Sequence, residues 1–378
     1  MHPSLPTPNS AARPARDSLL FTPGPLTTSL SVKQAMLHDA GSWHFEFNAL
    51  VASIRRRLVS IADLSPDEGW EAILLQGSGT YGVEAVFQTC VPRGAKVAVL
   101  ANGAYGKRMG QMLAAASIDH VVLWTDENKP VVPEALSALL SADKAITHVA
   151  MVHCETTTGI LNPIEAVGQI AKSQGKTFVV DAMSSFGAIP IDFKKCRIDF
   201  LISSPNKCLE GVPGFCFVLC QRATLVKCAG CARSLSLDLL DQLRGFDKNG
   251  QFRYTPPTHA ILAFDQALKE FEAEGGVGAR GLRYQANHRV LCAGMAELGL
   301  QPYLDPAFQS FIITAFPFPA NQKFTFDGFY RGLSERGFII YPGKLTQVNT
   351  FRIGTIGRLF PGDIQQLVYG IREILTAQ

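Results

Sequence analysis

Residues 177–220 read TFVVDAMSSFGAIPIDFKKCRIDFLISSPNKCLEGVPGFCFVLC, and two strand-like runs dominate them. Thr177–Val180 is short, apolar and β-branched, and it delivers Asp181 at its carboxyl end. Ile198–Ser203 is a second such run, with Lys207 following in the loop Ser204-Pro205-Asn206-Lys207. In a parallel α/β sheet, ligands sit at the carboxyl ends of the strands. The stretch therefore brings an acid and a lysine to one place. Taken alone, a strand ending in Asp is common, and a lysine in such a loop is ordinarily solvated.

An anion at one end and an amine at the other suit pyridoxal phosphate (PLP). Its ring nitrogen takes a carboxylate partner and its aldehyde takes a lysine. The phosphate needs a third element, and the chain offers one. Ala72–Gln76 reads as a buried strand running into Gly77-Ser78-Gly79-Thr80-Tyr81-Gly82, with a helix following from about Val83 to Cys90. Glycine-lined backbone N–H groups and a helix start make a phosphate cradle. The same six residues match G-x-G-x-x-G, but a dinucleotide fold expects an acid about 20 positions on for the ribose. No Asp or Glu lies between Glu84 and Asp119. The dinucleotide reading fails, and a cup for a lone phosphate survives.

Outward from these stretches the βα alternation is unbroken. Strands are expected at Lys96–Ala101, His120–Trp124, Ile146–His153 and Phe215–Leu219, and helices at Lys107–Ala116, Pro133–Ser141 and Ile164–Ser173. That makes seven strands between Ala72 and Leu219. The fold class expected is α/β: a seven-stranded, mostly parallel sheet with helices on both faces. A helix from Phe47 to Asp63 precedes it, with Arg55, Arg56 and Arg57 read as a solvated face. Beyond Cys220 come the proline-broken loop Gln251–Thr258, helix His259–Glu274, a break at Gly275–Gly278, and a helix from Arg280 to Leu298. Strands at Ser310–Phe316, Phe338–Tyr341 and Thr350–Gly354, closed by helix Pro361–Leu375, read as a smaller α+β C-terminal domain. The domains expected are a disordered tail over 1–18, an N-terminal segment and large domain over 19–275, and a small domain over 276–378.

Composition narrows the function classes. With 35 basic against 32 acidic residues the net charge is only +3, and no basic stripe interleaves with aromatics, so nucleic acid is not expected. No apolar run is long enough for a bilayer. Nine cysteines without a secretory signal read as reduced thiols in a cytoplasmic protein. Cys228-x-x-Cys231 lacks a second pair at metal spacing, so no metal is expected. Tyr105, just past a strand end, has the position to stack on a planar ligand or to be an ordinary loop aromatic. The Thr156-Thr157-Thr158 turn either bonds a phenolic oxygen or caps a helix, and His153 is a base or a satisfied structural residue. Arg352, inside an apolar strand, needs an anion unless it faces solvent on an edge. A phosphate-binding module without catalysis would use Gly77–Gly82 but leave Asp181, Lys207 and Arg352 unexplained.

With these parts assembled, the chain resembles the 2-aminoethylphosphonate–pyruvate transaminases of the PLP-dependent fold-type I aminotransferases, and more loosely the alanine–glyoxylate and serine–pyruvate aminotransferases. The likeness runs from Phe21 to about Ala377. It is carried in order by FTPGPLTTSLSVKQAML, LLQGSGTYGVEAV, NGAYGKRM, AMVHCETTTGILNPI, VVDAMSSFGAIPID, LISSPNKCLEGVPGF, RSLSLDL, PPTHAILAFDQALKEF, YPGK and FRIGTIG. The resemblance implies that Lys207 carries the cofactor and Asp181 holds its ring nitrogen. It implies that Ser78, Gly79 and Thr80 receive the phosphate, Tyr105 stacks on the ring and Thr156 approaches the ring hydroxyl. Thr255 would reach the phosphate of the neighbouring subunit, which implies a homodimer. Arg352, with backbone near Pro23 and Gly24, would bind the substrate anion. The substrates implied are 2-aminoethylphosphonate and pyruvate; an alanine–glyoxylate or serine–pyruvate type transaminase, or a PLP-dependent aminophosphonate lyase, would share the cofactor residues. Pro205 and the Trp43–Asn48 segment (WHFEFN) depart from the family pattern where they would tune substrate choice.

Overall fold

The structure, a computed structural model, describes residues 17–320 and 323–376; all but the last two residues of the tail expected at 1–18 lie outside them. The seven expected strands form one sheet. Its order is Trp70–Gln76, Phe215–Gln221, Phe200–Ser203, Thr177–Asp181, Ile146–Val152, Lys96–Ala101, Asp119–Trp124. All neighbours are parallel except Phe215–Gln221, which is antiparallel to both strands beside it. The near-continuous apolar runs fit this placement, since inner strands are covered on both faces. The outermost strand Asp119–Trp124 shows the opposite character, with Trp124 half exposed. Helices Phe45–Ile61, Gly79–Cys90, Ala104–Ala115 and Ile164–Ser173 pack along the sheet.

Parallel pairing gives the site its place. Asp181 and Val152 are the last residues of adjacent strands, Ser203 ends the next, and Gly77 follows the edge strand at the same end of the sheet. A second core lies around Ile313–Pro317, Thr350–Gly354 and Tyr341–Pro342, which form an antiparallel sheet with Thr350–Gly354 in the middle. Phe316, Phe329, Phe351 and Ile371 fill that core.

Several expectations shift. The arginine triplet is not a solvated face. Arg55 pairs with Glu71 at 2.7 Å and Arg57 with Asp265 at 2.8 Å, and only Arg56 is exposed. Helical geometry turns three consecutive residues through about 200° between first and third, so a triplet cannot share one face. Phe338–Tyr341 is not one strand. Phe338–Ile339 pairs with Leu19–Leu20, buried Ile340 turns the chain, and Tyr341–Pro342 joins the Thr350–Gly354 strand. The break at Gly275–Gly278 is shorter than expected, because Gly275 and Gly276 take the left-handed bend (φ +108° and +70°) and the helix runs from Gly276 to Glu297. Helices Leu239–Asn249 and Phe326–Glu335 went unread in the sequence.

Candidate active site

Seven of the residues singled out in the sequence line one cavity of about 370 Å3: Ser78, Gly79, Thr80, Tyr105, Thr156, Asp181 and Lys207. Asp181 is 7% exposed, and one of its oxygens accepts from the Met183 amide at 2.9 Å. Burial pushes its carboxyl up to about 6, with the nearby Glu155 carboxylate acting in the same direction and Lys207 and Arg108 opposing. The Lys207 amine donates to the Pro23 carbonyl at 2.5 Å. Burial lowers its pKa and the Arg352 charge adds to this, against the pull of Tyr105 and Asp181. A lysine shifted this way spends more of its time as the neutral, nucleophilic amine.

The cup is the start of helix Gly79–Cys90. Ser78 caps it in extended conformation without a side-chain bond to the helix, so its hydroxyl is uncommitted at the helix start. Arg108, half-buried, donates to Thr80 Oγ1 at 3.4 Å and places a cation beside the same amides. Two glycines stand at close contacts, one against the flexible end of Met183 and one against backbone as well as the lysine stem. A Cβ on Gly79 would stand 2.3 Å from Met183 Sδ; one on Gly24 (φ +114°) would stand 2.6 Å from Lys207 Cδ and 2.8 Å from the Asn206 carbonyl. Gly24 thus leaves room for the lysine stem.

Arg352 is fully buried. Its Nε donates to the Pro342 carbonyl at 2.9 Å and its Nη1 to the Thr156 carbonyl at 2.7 Å. It lies next to the cavity rather than in its lining, as do Pro23 and Gly24. Thr255 is apart from it: its residue is exposed, and its carbonyl accepts from Gln76 Nε2 at 3.1 Å. Burial alone would push the Tyr105 phenol up. The charges of Lys207, Lys344 and Arg352 and a hydrogen bond with Thr156 outweigh it and hold the phenol below its ordinary value. The Arg108 guanidinium and the Lys344 ammonium each approach the Tyr105 ring to 5.0 Å from its centre. His153 is buried against Ser185 Oγ at 2.9 Å and pushed down to about 4 by burial, so it is a neutral structural residue.

Sequence reading missed Arg108, Lys344 and Glu155. Glu155 is fully buried in the short hairpin Cys154–Glu155/Ile160–Leu161 and lies against Gly103. It accepts from the amides of Gly106 (3.2 Å) and Thr157 (3.1 Å) and from the Thr157 hydroxyl (2.7 Å). A carboxylate at the start of helix Ala104–Ala115 is well placed for its dipole. The signal was present, since Glu155 is an acid in the short segment that follows strand Ile146–Val152.

The family model for class-V aminotransferases matches residues 39–321. A 2-aminoethylphosphonate–pyruvate transaminase from Bacillus cytotoxicus is 50% identical over 94% of this chain and 97% of its own. One from Salmonella typhimurium is 51% identical over 96% of this chain and 98% of its own. Among solved structures, a pyridoxamine–pyruvate aminotransferase from Mesorhizobium loti superposes with a TM-score of 0.87 at 23% identity, over 97% of this chain and 94% of that one. An alanine–glyoxylate aminotransferase from Nostoc gives 0.86 at 23% identity, over 98% of this chain and 97% of that one. The fold is the type I architecture of the PLP-dependent aminotransferases. On these grounds the chain belongs to the class-V aminotransferases, in one family with the 2-aminoethylphosphonate–pyruvate transaminases of those bacteria.

Proposed function

We propose that the protein is a PLP-dependent transaminase that moves the amino group of 2-aminoethylphosphonate to pyruvate, giving phosphonoacetaldehyde and L-alanine. The observation that carries this reading is the convergence of a shifted lysine, a buried aspartate and a helix start with an arginine beside it on one cavity of about 370 Å3. These residues fit the cofactor part by part. The amine meets an aldehyde, the carboxylate a ring nitrogen, and the cup with Arg108 a phosphate. When bound, PLP supplies an electron sink for the carbon that bears the amino group.

The chain's own residues do the rest. Asp181 would hold a proton on the ring nitrogen. Lys207 Nζ would hold the cofactor's aldehyde and would serve as the base that takes up and returns the proton of the carbon bearing the amino group. The Pro23 carbonyl parks that amine when it is idle. Thr156 and Tyr105, which line the cavity, would hold the ring, and Arg352, oriented by its two backbone carbonyls, would bind the substrate anion with its remaining N–H groups. Thr255, exposed and outside the cavity, serves the partner subunit's phosphate in a homodimer. The division into 19–275 and 276–378 belongs to the same reading, with Leu19–Phe21 crossing to the smaller core. Nine free cysteines accord with a cytoplasmic protein.

The deciding experiment is alanine formation from pyruvate with 2-aminoethylphosphonate set against serine, glycine and other amino donors. Preference for the phosphonate supports the proposal. Preference for serine or glycine would transfer it to the serine–pyruvate or alanine–glyoxylate type, and ammonia release without pyruvate would make it a lyase.

A further inference from the structure

Three residues beyond Lys207, Glu210 takes the left-handed conformation (φ +56°) although it carries a side chain. Such a conformation is strained and persists only where its surroundings hold it. Glu210 is 3% exposed, and its Oε1 accepts from Arg283 Nη2 at 2.7 Å and from the Tyr284 hydroxyl at 2.6 Å. Arg280, entirely buried, donates to the carbonyl of Cys208, the residue next to Lys207, at 2.5 Å. Glu274 closes the cluster by accepting from Arg280 Nε and Arg283 Nε, both at 2.8 Å. Two acids face two bases, so the cluster is neutral.

The same side chains also grip a distant segment. Arg283 Nη1 donates to the carbonyls of Gly357 (2.7 Å) and Leu359 (3.0 Å), and the Tyr284 oxygen accepts from the Gly357 amide at 3.1 Å. Asn287 adds bonds to the Thr355 and Leu359 carbonyls, each at 3.0 Å. Gly357 lies just beyond the strand that carries Arg352. That strand's last residue, Gly354, donates to the Phe21 carbonyl at 2.9 Å, two residues before the Pro23 carbonyl that receives the lysine amine. The contacts thus close a ring: Lys207 loop, Glu210, helix Gly276–Glu297, the turn behind Arg352, residues 21–23, and Lys207 again.

We propose that Glu210 and Tyr284 are positioning residues that lock the lysine loop to the turn behind Arg352, so that the proton-moving amine and the anion-binding arginine keep one fixed separation. Buried ion clusters add little net stability over apolar packing, whereas breaking one is costly. Their use here is registration between two elements that helix Gly276–Glu297 joins on one side and residues 21–23 on the other. The role rests on the transaminase reading above, but the coupling itself is a property of the chain.

The test uses Tyr284→Phe, which removes one buried oxygen, and Glu210→Gln, which keeps an acceptor but leaves the two arginines short of one negative charge. Hydrogen exchange on the cofactor-free protein reads the peptides covering 207–211 and 355–359. In either variant both peptides lose protection together, by about tenfold or more. With cofactor restored, kcat per bound PLP falls about tenfold to a hundredfold while the pyruvate KM stays within about threefold. A role confined to holding the helix would lower the melting temperature and leave kcat per bound cofactor intact. Loss of protection in one peptide without the other, or an unchanged kcat, overturns the proposal. If the transaminase reading failed instead, the wild-type protein would show no 2-aminoethylphosphonate turnover, and the exchange arm would still decide the coupling.

Discussion

At the scale of single residues, Lys207 is the one lysine in the cavity lining. Lys207→Ala is expected to lower alanine formation by about 10⁴-fold and to abolish borohydride-fixable PLP; turnover near the wild-type rate would remove the scheme. Asp181 makes a pH prediction. Its folded pKa is raised to about 6, so the neutral form is favoured and its contribution to stability is complete below the unfolded value near 4. As pH rises through 6 the cofactor-free protein must charge a buried carboxylate, which costs about 3 kcal/mol. On the proposed reading PLP affinity runs the other way: it is expected to fall as pH drops through about 6, where the Asp181 carboxylate is neutralised. Titration of the cofactor-free protein across that range checks the sign, and Asp181→Asn should flatten the curve. Lys207 and Asp181 were legible because strand-end positions are set by local pattern. Arg108 and Lys344 were not, because their value lies in meeting Tyr105 and the cup in space.

At the scale of elements, the seven strands of the large sheet were read within a residue or two, since apolar β-branched runs leave little choice, whereas the strand expected at Ser310–Phe316 begins only at Ile313. Leu239–Asn249 and Phe326–Glu335 escaped because short amphipathic turns among polar residues resemble loops until a core claims one face. The hairpin at Cys154–Glu155 escaped for the same reason, with two-residue strands. The start of helix Gly79–Cys90 offers a direct test. Gly79→Ala drives a methyl group into Met183 Sδ, whose backbone amide holds Asp181. PLP affinity should fall about tenfold or more by cofactor titration, and trimming the obstacle with Met183→Ala should restore part of it. If Gly79→Ala binds PLP as the wild type does, the close packing of this corner is not what shapes the cup.

At the scale of the whole molecule, the homodimer is tested by complementation. Thr255→Ala and Lys207→Ala each spoil one contribution to a site. Mixed dimers, unfolded and refolded together, would contain one cavity with both contributions intact. Activity above that of either variant alone is expected. Its absence, with mixed dimers verified by mass, would place Thr255 outside the neighbouring site.

One strand, Phe215–Gln221, runs against its neighbours and stands between the strand that leads to Gly77 and the strand that leads to Lys207. Two interstrand steps of about 4.8 Å set those strand ends about 10 Å apart, and the backbone ladder makes that gap stiff. The sheet is therefore a caliper. On the proposed reading, a cofactor homologue whose phosphate arm is two carbons longer would not seat its anion in the cup and offer its aldehyde to the amine at once, and it should compete poorly against PLP for the cofactor-free protein.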